Sequence, residues 1–309
     1  MPRIKFECSG VIPACLLPMH EDLSIDEKSY RKHLRDVTAV RGISAITVNG
    51  HASEVSSCTF EEQERILDIS AEEVGDRTPI INGVYADSTA EAVRIARMSE
   101  RRHASALLVF PSNVFVLGWR SDMVVNHFKA IAEATDLPLI IFQFPTALPM
   151  SYSHDVLARL VAEVPTVRAV KDACGDPARH EATVRLLQSN TRPFHVLTTH
   201  SAWLLSSLIT GCNGLLSGAG STIADLQVGL FDAVHENDLA TAKALSERIF
   251  HTTQAFYGPP GVDMHNRMKE AQVLLGRLPC AAVRGPLQKL PASEIDRIGR
   301  HLAAAGINR

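Results

Sequence analysis

The stretch RAVKDACGD, residues 168–176, ends an apolar, β-prone run in a lysine and follows it with an acidic residue, small residues and a glycine. This pattern predicts a buried strand that carries Lys171 near its end and closes in a glycine turn. A buried lysine must find a counter-charge or lose its proton, because desolvation disfavours the ammonium form. A neutral amine at a strand end is what imine formation with a carbonyl substrate requires. The alternative interpretation is a lysine that reaches solvent and pairs with Asp172 or Asp176.

Apolar segments of the same kind recur along the chain, and a segment of helical pattern separates each from the next. We predict eight strands, over residues 10–17, 43–48, 79–84, 104–110, 137–144, 167–171, 195–199 and 214–218. Strict alternation of strand and helix favours a parallel sheet, and eight such units favour a (β/α)₈ TIM barrel of the α/β class. A doubly wound open sheet is the alternative, but no G-x-G-x-x-G motif follows the first strand.

The last part of the chain has helical periodicity without a further strand. We predict three C-terminal helices, over residues 239–256, 264–276 and 293–304. The chain is therefore divided into a barrel, residues 1–236, and a helical annex packed on it, residues 237–309. Three helix starts within the barrel are predicted from Ser or Thr followed three residues later by Glu: Ser24 with Glu27, Thr59 with Glu62, and Ser88 with Glu91.

The composition argues against several classes of partner. A formal net charge of -3 gives no electrostatic reason to expect nucleic acid or an anionic membrane as a partner. No apolar run reaches the roughly 18 residues that a membrane span needs, and the N-terminus lacks an apolar signal core, so we expect a cytoplasmic protein. Six cysteines without a C-x-x-C pair, and histidines that do not cluster at metal-ligand spacing, lead us to expect no metal and no cofactor.

In barrels of this kind the reacting groups lie at the C-terminal ends of the strands. The candidate side chains at those positions are His51, Ser53, Glu54, Ser112, Asn113, Phe142, Gln143, Lys171, His200 and Ser217. Lys171 is the one lysine among them, which strengthens the imine hypothesis. His51 is a candidate general base because imidazole titrates near neutral pH, and a solvent-facing loop histidine is the alternative. Glu54 is interpreted as a carboxylate that caps a helix or braces its loop, and an acid catalyst is the alternative.

The segment VKDACGD around Lys171 resembles the Schiff-base lysine motif of the dihydrodipicolinate synthase / N-acetylneuraminate lyase family. Residues 50–54, GHASE, lie where that family has Gly-Thr-Thr-Gly-Glu, and residues 142–145, FQFP, lie where it has Tyr-Asn-x-Pro. Residues 214–218 and 269–290 resemble its eighth strand and its C-terminal helix, so the resemblance spans nearly the whole chain. It implies a barrel with three C-terminal helices, a homo-oligomer (dimer or tetramer), and action on pyruvate or another 2-oxo acid through an imine.

The departures from that family's pattern concern the proton relay and the second substrate. Phe142 replaces the relay tyrosine and has no hydroxyl to donate. His51 and Ala52 replace two threonines, and residues 112–113 stand where a neighbouring subunit's tyrosine is expected. Ala147 stands where the synthase has an arginine that grips the carboxylate of aspartate semialdehyde. We therefore do not expect the synthase reaction.

The resulting hypothesis is an imine-forming lyase or aldolase that acts on a pyruvate-type 2-oxo acid. Lys171 forms the imine, and His51 moves the hydroxyl proton in place of the missing tyrosine. The predicted substrate-binding residues are Ala52 and Ser53, through their backbone N–H groups, with Phe142, Leu216 and Ser217. Two alternatives stay open: a dehydratase or decarboxylase of a 2-oxo sugar acid that uses the same imine, and a non-catalytic 2-oxo acid binding protein.

Overall fold

The centre of the protein is a sheet of eight parallel strands. The computed structural model describes residues 4–189, 191–199 and 201–309. The strands are β1 (Gly10–Pro13), β2 (Ile46–Val48), β3 (Ile80–Val84), β4 (Ala106–Val109), β5 (Leu139–Gln143), β6 (Val167–Asp172), β7 (His195–Thr198) and β8 (Gly214–Ser217). Their residues are almost all buried, because helices cover the outer face of the sheet and side chains fill its interior.

A helix follows each strand, and three more helices end the described chain. The eight barrel helices are α1 (Glu27–Thr38), α2 (Phe60–Val74), α3 (Thr89–Arg101), α4 (Ser121–Ala134), α5 (His154–Glu163), α6 (Pro177–Gln188), α7 (Leu204–Thr210) and α8 (Gly220–His235). The annex helices are α9 (Leu239–Phe256), α10 (Met264–Leu274) and α11 (Ala292–Ala304). The boundary that we placed between residues 236 and 237 falls in the turn between α8 and α9.

The sheet closes on itself. Strands β2 to β8 pair with their neighbours in chain order, and β1 pairs with β8 beginning at Gly10 and Gly214. A parallel bridge between Ala14 and Thr47 joins the end of β1 to β2 and completes the ring. The predicted (β/α)₈ barrel with three C-terminal helices is therefore confirmed, and the open sheet is excluded.

Several observed strands are shorter than the predicted ones. The first prediction covers residues 10–17, but β1 ends at Pro13, and the second begins at residue 43, whereas β2 begins at Ile46. Residues 14–17 stay buried after they leave the ladder. Buried loop segments next to the barrel are as apolar as strands, so composition does not mark where the hydrogen-bonded ladder stops.

Two of the three predicted helix starts are found where we expected them. Thr59 and Glu62 form a reciprocal capping box at the start of α2, and the Ser88 hydroxyl accepts the backbone N–H of Glu91 at 3.2 Å. The prediction of a capping box at Ser24 is wrong. The Ser24 hydroxyl donates to Asp22 Oδ1 at 2.6 Å, and Asp26 caps α1, because its carboxylate is the acceptor closest to the free N–H groups of the first turn.

Buried polar contacts hold the annex together. Arg267 on α10 is 2% exposed and donates from Nε to Glu294 Oε1 of α11 at 2.6 Å. The same guanidinium donates from Nη1 to the carbonyl oxygen of Phe256, the last residue of α9, at 3.2 Å. One side chain therefore joins all three annex helices. Across the described part of the chain, no helix combines the length and the apolar character that crossing a bilayer requires.

Candidate active site

Lys171 lies one residue before the end of β6, beside Phe142 of β5. The lysine is 8% exposed, and its Nζ lies 4.2 Å from the centroid of the Phe142 ring. Burial lowers the pKa of the Lys171 ammonium group to about 7. A large fraction of the amine is therefore neutral at physiological pH, whereas a solvated lysine with a pKa of about 10.4 is almost wholly charged there.

The two carboxylates nearest to Lys171 in the sequence are engaged elsewhere. Asp172 accepts the backbone N–H of Cys174 at 2.9 Å and lies 2.9 Å from Nδ1 of His180. Asp176 caps α6 by accepting two backbone N–H groups of its first turn. Among the described residues no carboxylate pairs with Lys171 Nζ. The alternative of a solvated lysine paired with Asp172 or Asp176 is therefore wrong.

A cavity of about 550 Å³ extends from Lys171 at the C-terminal end of the barrel. Barrel loops and the annex both supply its wall. The described lining residues are Ala14, Thr47, Gly50, His51, Ala52, Leu108, Phe110, Phe142, Phe144, Pro145, Leu148, Lys171, Ala173, Thr199, Ala202, Gly218, Thr253, Gln254, Tyr257, Gly258, Met264 and His265. Most of these residues are apolar, and the set includes no arginine, aspartate or glutamate.

His51 begins the short 3₁₀ turn His51–Ser53 that follows β2, and it lines the cavity among aromatic rings. Its ring centroid lies 4.7 Å from that of Phe110, 5.6 Å from that of Phe142 and 5.8 Å from that of Phe144. Burial, and secondarily the charge on Lys171, lower the pKa of His51 to about 3. His51 therefore does not keep the near-neutral pKa that is usual for imidazole, because the aromatic surroundings desolvate the imidazolium form. His51 is instead a neutral group that faces the same space as Lys171.

The turn that carries His51 also contains two predicted binding residues, Ala52 and Ser53, and only one of them lines the cavity. Ala52 lines the cavity, as expected of a substrate-binding residue. Ser53 does not, because its backbone N–H donates to the carbonyl oxygen of Gly50 at 3.0 Å and its hydroxyl to that of Cys15 at 2.9 Å. These hydrogen bonds of Ser53 hold the turn against the barrel, and its role in substrate binding stays a prediction.

The residue that reaches the cavity beside β8 differs from those predicted. Leu216 and Ser217 are both 0% exposed and do not line the cavity, whereas the next residue, Gly218, does. Phe142, which is also a predicted binding residue, lines the cavity. His200, another candidate from the sequence, lies outside the described residues.

Sequence reasoning missed the two ionisable side chains that the annex brings to the cavity, Tyr257 and His265. A Cβ built on Gly218 would lie 2.9 Å from His265 Nε2, so the absence of a side chain at Gly218 makes room for this histidine. Burial, together with the charges of His51 and Lys171, holds the pKa of His265 well below its usual range. The sequence signal was the glycine after β8, but the position of α10 over the barrel is needed to interpret it.

Residues 112 and 113 brace a loop and do not line the cavity. The Ser112 hydroxyl donates to the backbone oxygen of Asp87 at 2.9 Å. The Asn113 amide donates to Asp87 Oδ1 at 2.8 Å and to the Tyr85 hydroxyl at 3.0 Å. The Tyr85 ring meets His51 edge-on, with centroids 5.9 Å apart. This loop therefore supports the aromatic surroundings of His51 from outside the cavity.

A sequence profile of the dihydrodipicolinate synthetase family matches residues 7–305. The chain belongs to the dihydrodipicolinate synthetase family. Among curated relatives, the 4-hydroxy-tetrahydrodipicolinate synthase of Dechloromonas aromatica is 30% identical over 303 residues, covering 97% of this chain and 99% of the relative. The enzyme of the same name from Methanoculleus marisnigri is 26% identical, covering 96% of this chain and 99% of the relative.

Solved structures of the family have the same fold as this chain. YagE, a prophage protein from E. coli K12 crystallised in complex with pyruvate, superposes with a TM-score of 0.90 at 21% identity, covering 97% of this chain and 99% of YagE. The chloride-inhibited dihydrodipicolinate synthase of Acinetobacter baumannii, also complexed with pyruvate, gives 0.87 at 26% identity, covering 97% and 99% of the two chains. The protein therefore has the lyase fold of this family.

The loop that carries His51 is anchored to the annex by a buried ion pair, which this family member forms between Glu54 and Lys269. Lys269 is 1% exposed and Glu54 is 6% exposed, and Lys269 Nζ also donates to the carbonyl oxygen of Ala282 at 2.8 Å. The second carboxylate oxygen of Glu54 accepts the backbone N–H of Arg284 at 3.1 Å. The interpretation of Glu54 as a loop-bracing carboxylate is therefore confirmed.

One group of described residues offers potential metal ligands. Atoms of Asp172, Cys174 and His180 all lie within 4.8 Å of one another at the end of β6. None of the three lines the cavity, and Asp172 already accepts two hydrogen bonds from the other two residues. These two hydrogen bonds are sufficient to orient the Asp172 carboxylate without an ion. The expectation of no metal stays a prediction.

Proposed function

We propose that this protein is a lyase that forms an imine between Lys171 and a pyruvate-type 2-oxo acid. The observation that carries the proposal is a buried lysine with a lowered pKa, without a carboxylate partner among the described residues, in a cavity at the C-terminal end of the barrel. The neutral amine has the lone pair that attack on a ketone requires. The pyruvate complexes of the two related structures support pyruvate as the first ligand to test.

We further propose that the reaction is not the synthase reaction of the curated relatives. Ala147 is not a lining residue, and no arginine lines the described cavity. A bidentate clamp for the carboxylate of a second substrate is therefore missing there. Phe142 places a ring, and no hydroxyl, next to Lys171.

In the proposed mechanism Lys171 attacks the C2 carbonyl, and loss of water leaves a protonated imine. Phe142 favours this cation, because a positive nitrogen over an aromatic face is attracted by the ring quadrupole. The C3–C4 bond of the substrate then breaks, its electrons form the C2–C3 double bond of an enamine, and the nitrogen becomes neutral. The C4 hydroxyl gives up its proton as C4 leaves as an aldehyde. Protonation at C3 and hydrolysis then release pyruvate and restore Lys171.

His51 is the proposed acceptor of the hydroxyl proton. Its low pKa is partly the effect of the positive charge at Lys171. When the C3–C4 bond breaks, the iminium nitrogen of Lys171 becomes neutral, and in the same step His51 gains its proton. The electrostatic repulsion that lowers the basicity of His51 therefore decreases as the bond breaks. One positive charge stays in the cavity throughout, which avoids creating a second buried ion.

The pH dependence of imine trapping tests the state of Lys171. With a limiting concentration of pyruvate, we expect the initial rate of borohydride trapping to rise with pH and to level off above an apparent pKa of about 7, because the neutral amine is the nucleophile. A solvated lysine would level off only near about pH 10.4. Intact-mass spectrometry at each pH provides the measurement, with borohydride reduction of a small-molecule imine as the control for reagent stability. A rate that still climbs steeply above pH 9 would contradict the proposal.

The variant His51→Ala separates proton transfer from imine formation. We expect it to lower the rate of carbon–carbon bond cleavage by about 10²–10⁴-fold, the usual effect of removing a general base. Trapping of pyruvate on Lys171 should persist, because that step does not use His51. Steady-state turnover and borohydride trapping are measured on the same preparation. The variant His265→Ala, which removes the other imidazole that lines the cavity, is the matched control. Full turnover in His51→Ala would exclude His51 as the base.

A further inference from the structure

The cavity beyond Lys171 is walled by aromatic and aliphatic side chains. The rings of Phe110 and Phe142 lie with centroids 4.9 Å apart, and those of Phe142 and Phe144 lie 4.8 Å apart. Leu148 and Met264 add aliphatic surface from a barrel loop and from the annex. A wall of this composition gains free energy by removing apolar ligand surface from water, and its rings favour stacked or edge-on contact with another ring.

The same wall offers no described partner for a second carboxylate. The positive charge of an iminium at Lys171 is already balanced by the C1 carboxylate of the bound 2-oxo acid. His265, the ionisable side chain that the annex adds beside Tyr257, is held neutral by its surroundings. A carboxylate in the distal part of the substrate would therefore be buried without a counter-charge, which is strongly unfavourable.

Polar contact with the distal part is limited to neutral groups. Tyr257 lines the cavity from the end of α9, and its hydroxyl has no hydrogen-bond partner among the described residues. Thr253 and Gln254, one turn earlier on α9, also line the cavity. Such groups orient a hydroxyl or carbonyl oxygen of a ligand without requiring it to be charged.

We propose that the carbonyl partner in this lyase reaction is an uncharged, apolar aldehyde, with an aryl group as the best fit. The reaction then makes or breaks the C3–C4 bond between pyruvate and the aldehyde carbon, and 4-aryl-4-hydroxy-2-oxo acids are its substrates. This inference rests on the proposed imine at Lys171 and adds to it the identity of the second half of the substrate.

The test compares two 2-oxo acids that differ by one carboxylate: 2-oxo-4-phenylbutanoate and 4-(4-carboxyphenyl)-2-oxobutanoate. Each is titrated against the full-length protein and trapped on Lys171 with borohydride, and intact-mass spectrometry gives the half-saturating concentration. We expect the phenyl compound to half-saturate at a concentration at least about tenfold lower, because only the carboxyphenyl compound buries an unpaired charge. Pyruvate is titrated in parallel to test the imine itself.

Two arginine variants sharpen the comparison. Leu148→Arg places a cation in the cavity wall and should shrink or reverse the ratio between the two compounds. Ile209→Arg adds the same charge at a residue of α7 that is 59% exposed and does not line the cavity, so its ratio should equal that of the unmodified protein.

The outcomes distinguish failure of this inference from failure of the proposed function. If pyruvate is trapped on Lys171 but the carboxyphenyl compound binds as well as the phenyl compound, or the phenyl compound is not trapped at all, the uncharged partner is wrong and the imine stands. If pyruvate itself is not trapped on Lys171, the proposed function falls and this inference falls with it.

Discussion

Replacing Lys171 with alanine is expected to abolish the pyruvate adduct and to lower turnover on the order of 10⁴-fold or more, because the covalent step has no substitute nucleophile. The protein should still fold, because the buried amine of Lys171 lowers the free energy of unfolding through its desolvation and makes no described ion pair that would offset this cost. We therefore expect Lys171→Met, which fills the same space without the amine, to melt at or above the temperature of the unmodified protein. Peptide mapping after borohydride reduction and a thermal unfolding scan measure the two effects.

Lys171→Arg is the matched control for this prediction. The guanidinium keeps a positive charge at the end of β6 but stays protonated and forms no imine. Turnover should be lost as completely in Lys171→Arg as in Lys171→Ala. An adduct on any other lysine, or retained turnover in both variants, would assign the chemistry to a different group.

Breaking the Glu54–Lys269 pair is expected to have the largest effect on stability. Glu54→Gln leaves the ammonium group of Lys269 buried without its counter-charge, which typically costs about 3–5 kcal/mol of the free energy of unfolding. The weaker anchor should also slow imine trapping, because Glu54 directly follows the turn that carries Ala52, whose backbone N–H is the predicted donor to the substrate carboxylate. Chemical denaturation gives the first effect, and borohydride trapping of pyruvate gives the second.

The double variant Glu54→Gln/Lys269→Met tests whether the cost comes from the unpaired charge. It should be more stable than Glu54→Gln alone, since the charge that had lost its partner is gone. Asp36→Asn, at the exposed pair with Lys32 on α1, is the matched control and should cost no more than about 0.5 kcal/mol. Equal losses in Glu54→Gln and Asp36→Asn would show that the buried pair has no special role.

Local sequence signals were sufficient for the architecture and for the position of the buried lysine. The alternation of strands and helices predicted the closed barrel. The strands were recognisable because each face of a parallel sheet is covered, which makes its strands continuously apolar. Lys171 stood out because a lysine at the end of such a strand has few ways to keep its charge. The capping box at Thr59 was also predictable, since its two hydrogen bonds depend only on a three-residue spacing.

The ends of elements and the directions of single side chains were less predictable. Ser24 and Asp26 are both good helix caps, and the choice between them depends on where the chain leaves the barrel. Ser53 is predicted to offer its backbone N–H to a substrate, but the 3₁₀ turn directs this N–H to the carbonyl oxygen of Gly50. Such outcomes depend on the path of the backbone in space, which a short sequence pattern does not specify.

The sequence by itself determined the fold, the position of the amine and the departures from the family at Phe142 and Ala147. Only the tertiary structure decided the chemistry of the space around them. Four aromatic rings converge on His51 from three strand ends besides its own, and their combined burial lowers its pKa. The annex brings Tyr257 and His265 to the cavity from far along the chain. Burial and electrostatic repulsion depend on distances in space, which are set only when the barrel closes and the annex packs on it.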